Sequence, residues 1–383
     1  MVGLSRRFLV CAAASLSFAK ASRAENLSVA SSSQPATASL GVVLPLTGPY
    51  GLQGDEVSRG IQLAVDEVNI KGGVVGRGVT PAVANMPSQS SAAQAVGQLI
   101  SADGVNILFG SGGSALSYPA TAAAELAQVP FIELTAPADG ITDRGFKFLL
   151  RTGPDTSMIG QLAAQTIKTR FANRRLGLLF NTGATAGAIA AATITSLQAE
   201  TQKITLSIAY PEDAADLLAQ AGRMMRAGVE ILLHAAGPDD TLALFQAMRT
   251  LNWRPASLIG CGEGYGLRDT QVALGPALDG TLVIAAPFYP GQAADIAKAY
   301  EARYGVPPRS AESCTAYVGA KLALDTLNTV KGDPTQLLAA LRQLHLPPGA
   351  LANGFGVAFD DDGQNSASFV TLQRWQGGAL MPV

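Results

Sequence analysis

One stretch near the N-terminus, Leu40 to Gly76, constrains the fold more than any other. It opens with five consecutive apolar residues, Leu40 to Leu44, which suits a strand buried on both faces of a sheet. A loop rich in Gly and Pro follows. Apolar residues then recur at helical spacing from Ile61 to Val68, and Gly72-Gly73 ends the helix. A long loop at the carboxyl end of a parallel strand is where open α/β sheets bind ligands.

The same alternation of apolar strands and amphipathic helices continues along the chain. Predicted strands are Val79–Ala84, Val105–Phe109, Val129–Leu134, Arg175–Phe180, Ile204–Ala209, Val229–His234, Ser257–Gly260 and Thr281–Ala286. Predicted helices are Ser91–Ser101, Ala115–Gln128, Thr156–Phe171, Ala186–Glu200, Ala214–Ala227, Asp239–Leu251, Ala293–Tyr304, Ala311–Leu327 and Thr335–Leu344. This pattern predicts two similar α/β lobes, each with a doubly wound parallel sheet.

The N-terminus has the pattern of an export signal. Arg6-Arg7 precede an apolar segment, Phe8 to Ala19, and small residues offer a cleavage site after Ala24. We therefore expect residues 1–24 to be a signal peptide and residues 25–39, rich in Ser and Ala, to be a flexible tether. The arginine pair also fits a twin-arginine signal, with the general secretory route as the alternative.

Composition excludes several classes of function. The formal net charge is −2, without a basic patch for nucleic acid. Cys261 and Cys314 are the cysteines left after signal removal, and the sequence does not decide whether they pair. The chain has no cysteine and histidine cluster for a metal and no nucleophile or phosphate-binding motif, so we expect neither an enzyme nor a bound cofactor or metal.

The first unit also carries a family resemblance. Its PLTG segment, the spacing from Gly54 to Gly60, the LAVDEVN helix and the GGVVG turn resemble the leucine/isoleucine/valine-binding family of periplasmic receptors. The resemblance extends from Leu40 to Trp375. It implies a type I periplasmic-binding-protein fold, in which two flavodoxin-like lobes are joined by three crossovers with a ligand cleft between them. The expected lobes are 40–153 with 287–366, and 154–286 with 367–383.

The first lobe supplies a candidate anion site. The segment Gly110 to Ser114 lies between a strand and a helix start, where backbone N–H groups attract anions, although Ser114 also fits a simple N-cap. The resemblance implies that Ser114, the adjacent Ala115 and backbone groups near Thr135 and Pro137 hold the α-carboxylate of an amino acid. Relatives carry Thr where Pro137 stands, and Pro offers neither an N–H nor a hydroxyl.

The second lobe supplies a candidate amine site. The loop around Glu263 resembles the one whose Glu receives the ligand ammonium, although its spacing differs by about one residue, and a solvated loop residue is the alternative. Gln53 stands where relatives place an aromatic wall of the cleft. Tyr265 could fill that space from another direction or be ordinary packing.

These features predict a monomeric periplasmic solute-binding protein that closes on a small organic ligand and delivers it to an ABC permease. An amino acid is the default ligand that the resemblance implies. An aromatic or aliphatic carboxylate or an amide is the alternative ligand class, and a ligand-sensing periplasmic receptor is the alternative role.

Overall fold

The computed structural model describes residues 38–383. The predicted signal peptide and residues 25–37 of the predicted tether lie outside the described residues. The strands are β1 Leu40–Leu44, β2 Ala82–Asn85, β3 Ile107–Gly110, β4 Phe131–Glu133, β5 Leu149–Arg151, β6 Leu176–Asn181, β7 Ile204–Tyr210, β8 Ile231–Ala235, β9 Ser257–Cys261, β10 Leu282–Ala285, β11 His345–Leu346, β12 Val357–Ala358, β13 Thr371–Gln376 and β14 Ala379–Pro382. The helices are α1 Gly51–Ile70, α2 Gln89–Asp103, α3 Ser114–Leu126, α4 Thr156–Arg170, α5 Ala184–Ala199, α6 Leu218–Arg226, α7 Pro238–Thr250, α8 Glu263–Gly266, α9 Arg268–Leu274, α10 Ala293–Tyr304, α11 Glu312–Thr329 and α12 Pro334–Gln343.

The first lobe is built on a parallel sheet with the strand order β2-β1-β3-β4-β5. All five residues of β1 are buried, as its apolar run predicts. Side chains of α1, α11 and α12 form the core on one face of the sheet, and side chains of α2 and α3 form the core on the other face. This is the flavodoxin-like order, which places a ligand crevice beside β1 and β3.

The second lobe repeats this arrangement. Strands β6 to β10 are parallel in the order β7-β6-β8-β9-β10, and the antiparallel strands β13 and β14 extend the sheet beyond β10. One core contains residues of α4 and α5, and the other contains residues of α6 and α7. The predicted class, two doubly wound α/β lobes, is confirmed.

The chain passes between the lobes three times, as expected: from β5 to α4, from β10 to α10, and from β12 to β13. The first and third connections run side by side. The N–H of Arg151 donates to the carbonyl of Gly363 at 2.8 Å, and that of Asn365 donates to the carbonyl of Arg151 at 2.9 Å. These two hydrogen bonds therefore tie the first and third connections to each other.

Two glycines of the first unit allow close approach of the backbone. A Cβ on Gly54 would lie 2.0 Å from the carbonyl oxygen of Pro45, and one on Gly60 would lie 2.1 Å from that of Ser313. Helix α1 therefore packs tightly against the loop after β1 and against α11 because these positions have no side chain.

The structure also adds to the sequence prediction. Helices α8 and α9 and strand β14 were not predicted, and β2 begins at Ala82 rather than Val79. Cys261 and Cys314 are both free and buried. Within residues 38–383, no helix combines the length and apolarity that a membrane span requires.

Candidate functional site

The candidate site is the cleft between the lobes, at the carboxyl ends of the parallel strands. Two adjoining cavities lie there: an inner one of about 100 Å³ and an outer one of about 550 Å³. Thr185 and Glu263 line both cavities. Together they fall within the roughly 300–1,000 Å³ that small-ligand pockets occupy.

Glu263 is the first residue of α8, directly after the loop that follows β9. The preceding residue, Gly262, has φ +89°, and a Cβ there would lie 2.8 Å from the carbonyl oxygen of Ala236, so the turn that presents Glu263 requires glycine. Burial raises the pKa of the Glu263 carboxyl, the charge of Glu212 adds to the increase, and a hydrogen bond with Thr185 opposes it.

A second carboxylate faces the same inner cavity. Glu312 is the first residue of α11, and its Oε2 is buried without a hydrogen-bond partner. Burial raises its pKa well above the ordinary value, and the charges of Glu263 and Glu56 raise it further. Since Glu312 belongs to the first lobe and Glu263 to the second, closure brings two like charges together.

Neither cavity has a basic side chain to balance these charges. Among the lining residues, all of which belong to the described part of the chain, there is no Lys, Arg or His. The outer cavity adds more acidic side chains, namely Glu212, Asp213, Asp239 and Asp240. A bound cation would compensate charges that burial otherwise disfavours.

Direct contacts between the lobes show a closed arrangement. The hydroxyl of Tyr50, just before α1, donates to Glu212 Oε1 of the second lobe at 2.6 Å. Arg309 also joins the lobes, with its Nε 2.8 Å from Asp269 of α9 and its Nη1 2.8 Å from Asp55 of α1. Polar side-chain contacts therefore hold the two lobes together at the rim of the cleft.

Four of the residues predicted from sequence line this cleft. Thr135, Pro137 and Glu263 line the inner cavity, and Gln53 and Glu263 line the outer one. Thr135 Oγ1 and Gln53 Oε1 are buried without hydrogen-bond partners. Buried polar atoms normally find partners, so these two atoms are available to a ligand.

Three other predicted residues lie outside the lining of these cavities. Ser114 is fully buried, and its Oγ accepts the N–H of Ala138 at 3.2 Å, while Ala115 is half-buried beside it on α3. Tyr265 is fully buried beneath the site, and its hydroxyl is 2.6 Å from His234 Nδ1. The ring can pack there because Gly260 has no side chain; a Cβ on Gly260 would lie 2.1 Å from the ring. Burial lowers the pKa of His234 to about 3.

Several residues that line the cavities were not predicted from the sequence, among them Thr185 and Glu312, and neither was Glu133, which lies beneath the lining. Thr185 is the second residue of α5, Glu312 is the first residue of α11, and Glu133 ends the buried strand β4. A charged residue inside a run of apolar residues was the available signal for Glu133, since such a residue is almost never fully buried without partners.

The family model described as periplasmic binding protein matches residues 37–379. A protein named Leu/Ile/Val-binding protein homolog 7, from Brucella abortus, is 31% identical over 368 residues, which cover 91% of this chain and 92% of that protein. Homolog 8 from Brucella suis is 30% identical over 380 residues, covering 94% of each.

Solved structures share the fold. A leucine binding protein from Thermotoga maritima superposes with a TM-score of 0.81 at 19% identity, covering 90% of this chain and 97% of that one. A solute binding protein from R. palustris in complex with 4-hydroxybenzoate gives a TM-score of 0.79 at 19% identity, covering 91% and 95%. The fold is therefore common to proteins that bind chemically different ligands.

Proposed function

Because the chain belongs to the periplasmic binding proteins, the family of solute-binding proteins of ABC transporters, we propose that it captures a small ligand carrying an ammonium group in the cleft between its lobes. The ligand is then presented to the permease of an ABC importer. The proposal includes export to the periplasm, action as a monomer and no catalytic step. The names of two relatives refer to Leu/Ile/Val binding, which supports a role in binding small ligands.

One observation carries the choice of an ammonium group: Glu263 and Glu312 face one small cavity whose lining contains no basic side chain. Two carboxylates beside one cavity lose solvation, which raises the pKa of both, and the charge of Glu263 raises the pKa of Glu312 further. An ammonium group between them removes both penalties through charge-assisted hydrogen bonds. A ligand with only a carboxylate would add a third negative charge.

The mechanism follows from the positions of these groups on different lobes. We assign residues 40–153 and 287–366 to one moving lobe and residues 154–286 and 367–383 to the other. A ligand that contacts Glu312 and Thr135 in the first lobe and Glu263 in the second binds the closed form better than the open one, so it shifts the population towards closure. The permease then distinguishes loaded from empty protein by shape.

The test uses calorimetry with primary amines and with carboxylic acids of the same carbon skeleton. We expect amines to bind the wild type and to lose at least tenfold in affinity to Glu263→Gln, because the charge-assisted contact is replaced by a neutral one. Asp295→Asn removes a carboxylate from α10 whose side chain is 85% exposed, so it is the matched control and should bind as the wild type does. Acids that bind while amines do not would refute the proposal.

A further inference from the structure

Glu133 makes an unusual set of contacts just beneath the first-lobe wall of the cleft. Its side chain is fully buried at the end of β4. Its Oε1 accepts four backbone N–H groups, from Ser111 at 2.8 Å, Leu134 at 3.0 Å, Thr135 at 3.2 Å and Ala136 at 3.0 Å. Its Oε2 accepts the hydroxyls of Ser111 at 2.6 Å and Ser117 at 2.5 Å.

Such a convergence of donors is an anion-binding cradle. Two of the amides, Thr135 and Ala136, are consecutive and donate to this carboxylate, whereas the N–H of Leu134 is shared with the carbonyl of Gly110 at 2.8 Å. Consecutive N–H groups that point at one spot form a concavity that attracts negative charge. The cradle borders the inner cavity through Thr135, which lines that cavity, as do Gly112 and Gly113 next to Ser111. The side chain of Glu133 lies beneath this wall and lines neither cavity. Here the anion is a side chain of the protein itself.

The buried guanidinium of Arg151 contacts the same loop. Arg151 is buried, and its Nη1 donates to the carbonyls of Ala136 at 3.2 Å and Ala138 at 2.7 Å. Its Nη2 donates to Thr142 Oγ1 at 3.2 Å, and its Nε donates to Gln364 Oε1 at 2.5 Å. Arg151 therefore supports the carbonyl side of the same loop instead of offering a charge to a ligand.

We propose that Glu133 substitutes for a ligand carboxylate, so that this cleft selects amines, or amine-bearing amides, that lack a carboxylate. The inference rests on the proposed function, since it assumes that the cleft binds an ammonium group. It deepens that function by excluding the α-amino acids: Glu133 already takes the N–H of Thr135 in the cavity wall, and Glu263 and Glu312 repel a ligand carboxylate.

The first experiment compares ligands of one carbon skeleton by thermal shift and calorimetry. Leucine, 3-methylbutylamine and 3-methylbutanoate form one set, and phenylalanine, 2-phenylethylamine and 3-phenylpropanoate form a second. We expect each amine to bind at least tenfold more tightly than its amino acid. If an amino acid binds as well as its amine, the inference fails and the proposed function stands. If only the acids without an amine bind, both fail.

The second experiment empties the cradle. Glu133→Ser removes the carboxylate from the N–H groups of Ser111, Thr135 and Ala136, while that of Leu134 keeps the carbonyl of Gly110. We expect leucine and phenylalanine to gain at least tenfold in affinity over the wild type. Glu133→Gln is the matched control, since its side chain still fills the cradle and should give no such gain. Circular dichroism establishes that each variant is folded. If the Ser variant does not fold, the comparison of amine with amino acid in the wild type decides the question. A folded Ser variant that gains nothing overturns the inference.

Discussion

The two carboxylates that face each other across the cleft should oppose closure of the empty protein. In the closed form Glu312 Oε2 is buried without a partner, and Glu263 of the other lobe faces the same cavity. Leaving a buried polar group unsatisfied costs roughly 1–3 kcal/mol, and more when the group is charged. Glu312 is the first residue of α11, where the helix dipole stabilises a negative charge by about 0.3–1 kcal/mol and so offsets part of this penalty. The unpaired charge therefore dominates.

Glu312→Gln should remove a net cost of about 1–2 kcal/mol from closure. That corresponds to a shift of the ratio of closed to open protein by roughly 5- to 30-fold in favour of the closed form without ligand. The introduced amide also donates a hydrogen bond where the carboxylate could not. The same substitution should weaken amine binding, because one of the two acceptors loses its charge.

The dependence on pH follows from the direction of the pKa shifts. Burial raises the pKa of Glu263 and Glu312 in the closed form, so closure takes up protons between the ordinary value of 4.5 and the raised values. The empty wild type should therefore close more as the pH falls from neutral towards 4.5 and open as it rises. Glu312→Gln should respond less to pH.

Small-angle scattering of the ligand-free proteins measures this directly, through the radius of gyration from pH 4.5 to 8. Asp295→Asn again serves as the control for loss of a carboxylate far from the cleft. The reasoning is refuted if Glu312→Gln has the same radius of gyration as the wild type at pH 8, or if it is more extended.

Two further predictions concern the rim of the cleft and the first structural unit. Tyr50→Phe keeps the ring and removes the 2.6 Å hydrogen bond that connects the lobes through Glu212. The closed complex should lose roughly 1 kcal/mol of stability and release its ligand about fivefold faster in stopped-flow measurements. An unchanged release rate would show that this contact does not stabilise the closed form. Gly54→Ala places a methyl group 2.0 Å from the carbonyl oxygen of Pro45 and should lower the free energy of unfolding in urea by about 1–3 kcal/mol. Gly97→Ala in α2, where a Cβ meets nothing within 4 Å, should raise it by about 0.5–1 kcal/mol, and equal effects of the two changes would contradict the packing argument.

The fold was largely predictable because its strands and helices have strong periodic signals. The five buried residues of β1 and the spacing from Ile61 to Val68 each fit one kind of element. Helices α8 and α9 were missed because four and seven residues are too few for a helical period to be seen. Strand β14 was missed because its pairing with β13 depends on the sheet that receives it.

The site was less predictable because its chemistry depends on residues that tertiary structure brings together. Thr135 and Glu263 directly follow strands, where ligand loops are expected, and the structure puts both in the lining of one cavity. The role of Glu133 depends on Ser111 and Ser117, which lie on the preceding strand–helix unit. Glu312 belongs to the site because it lies near Glu263 of the opposite lobe, whose charge raises its pKa. No local sequence pattern indicates that these two residues lie close together.

A crystal structure with the amine that gives the largest thermal shift would test the central claim most directly. The account predicts closed lobes with the ligand nitrogen about 2.7–3.2 Å from carboxylate oxygens of both Glu263 and Glu312. A ligand whose acidic group occupies that position, or whose nitrogen contacts neither carboxylate, would contradict it.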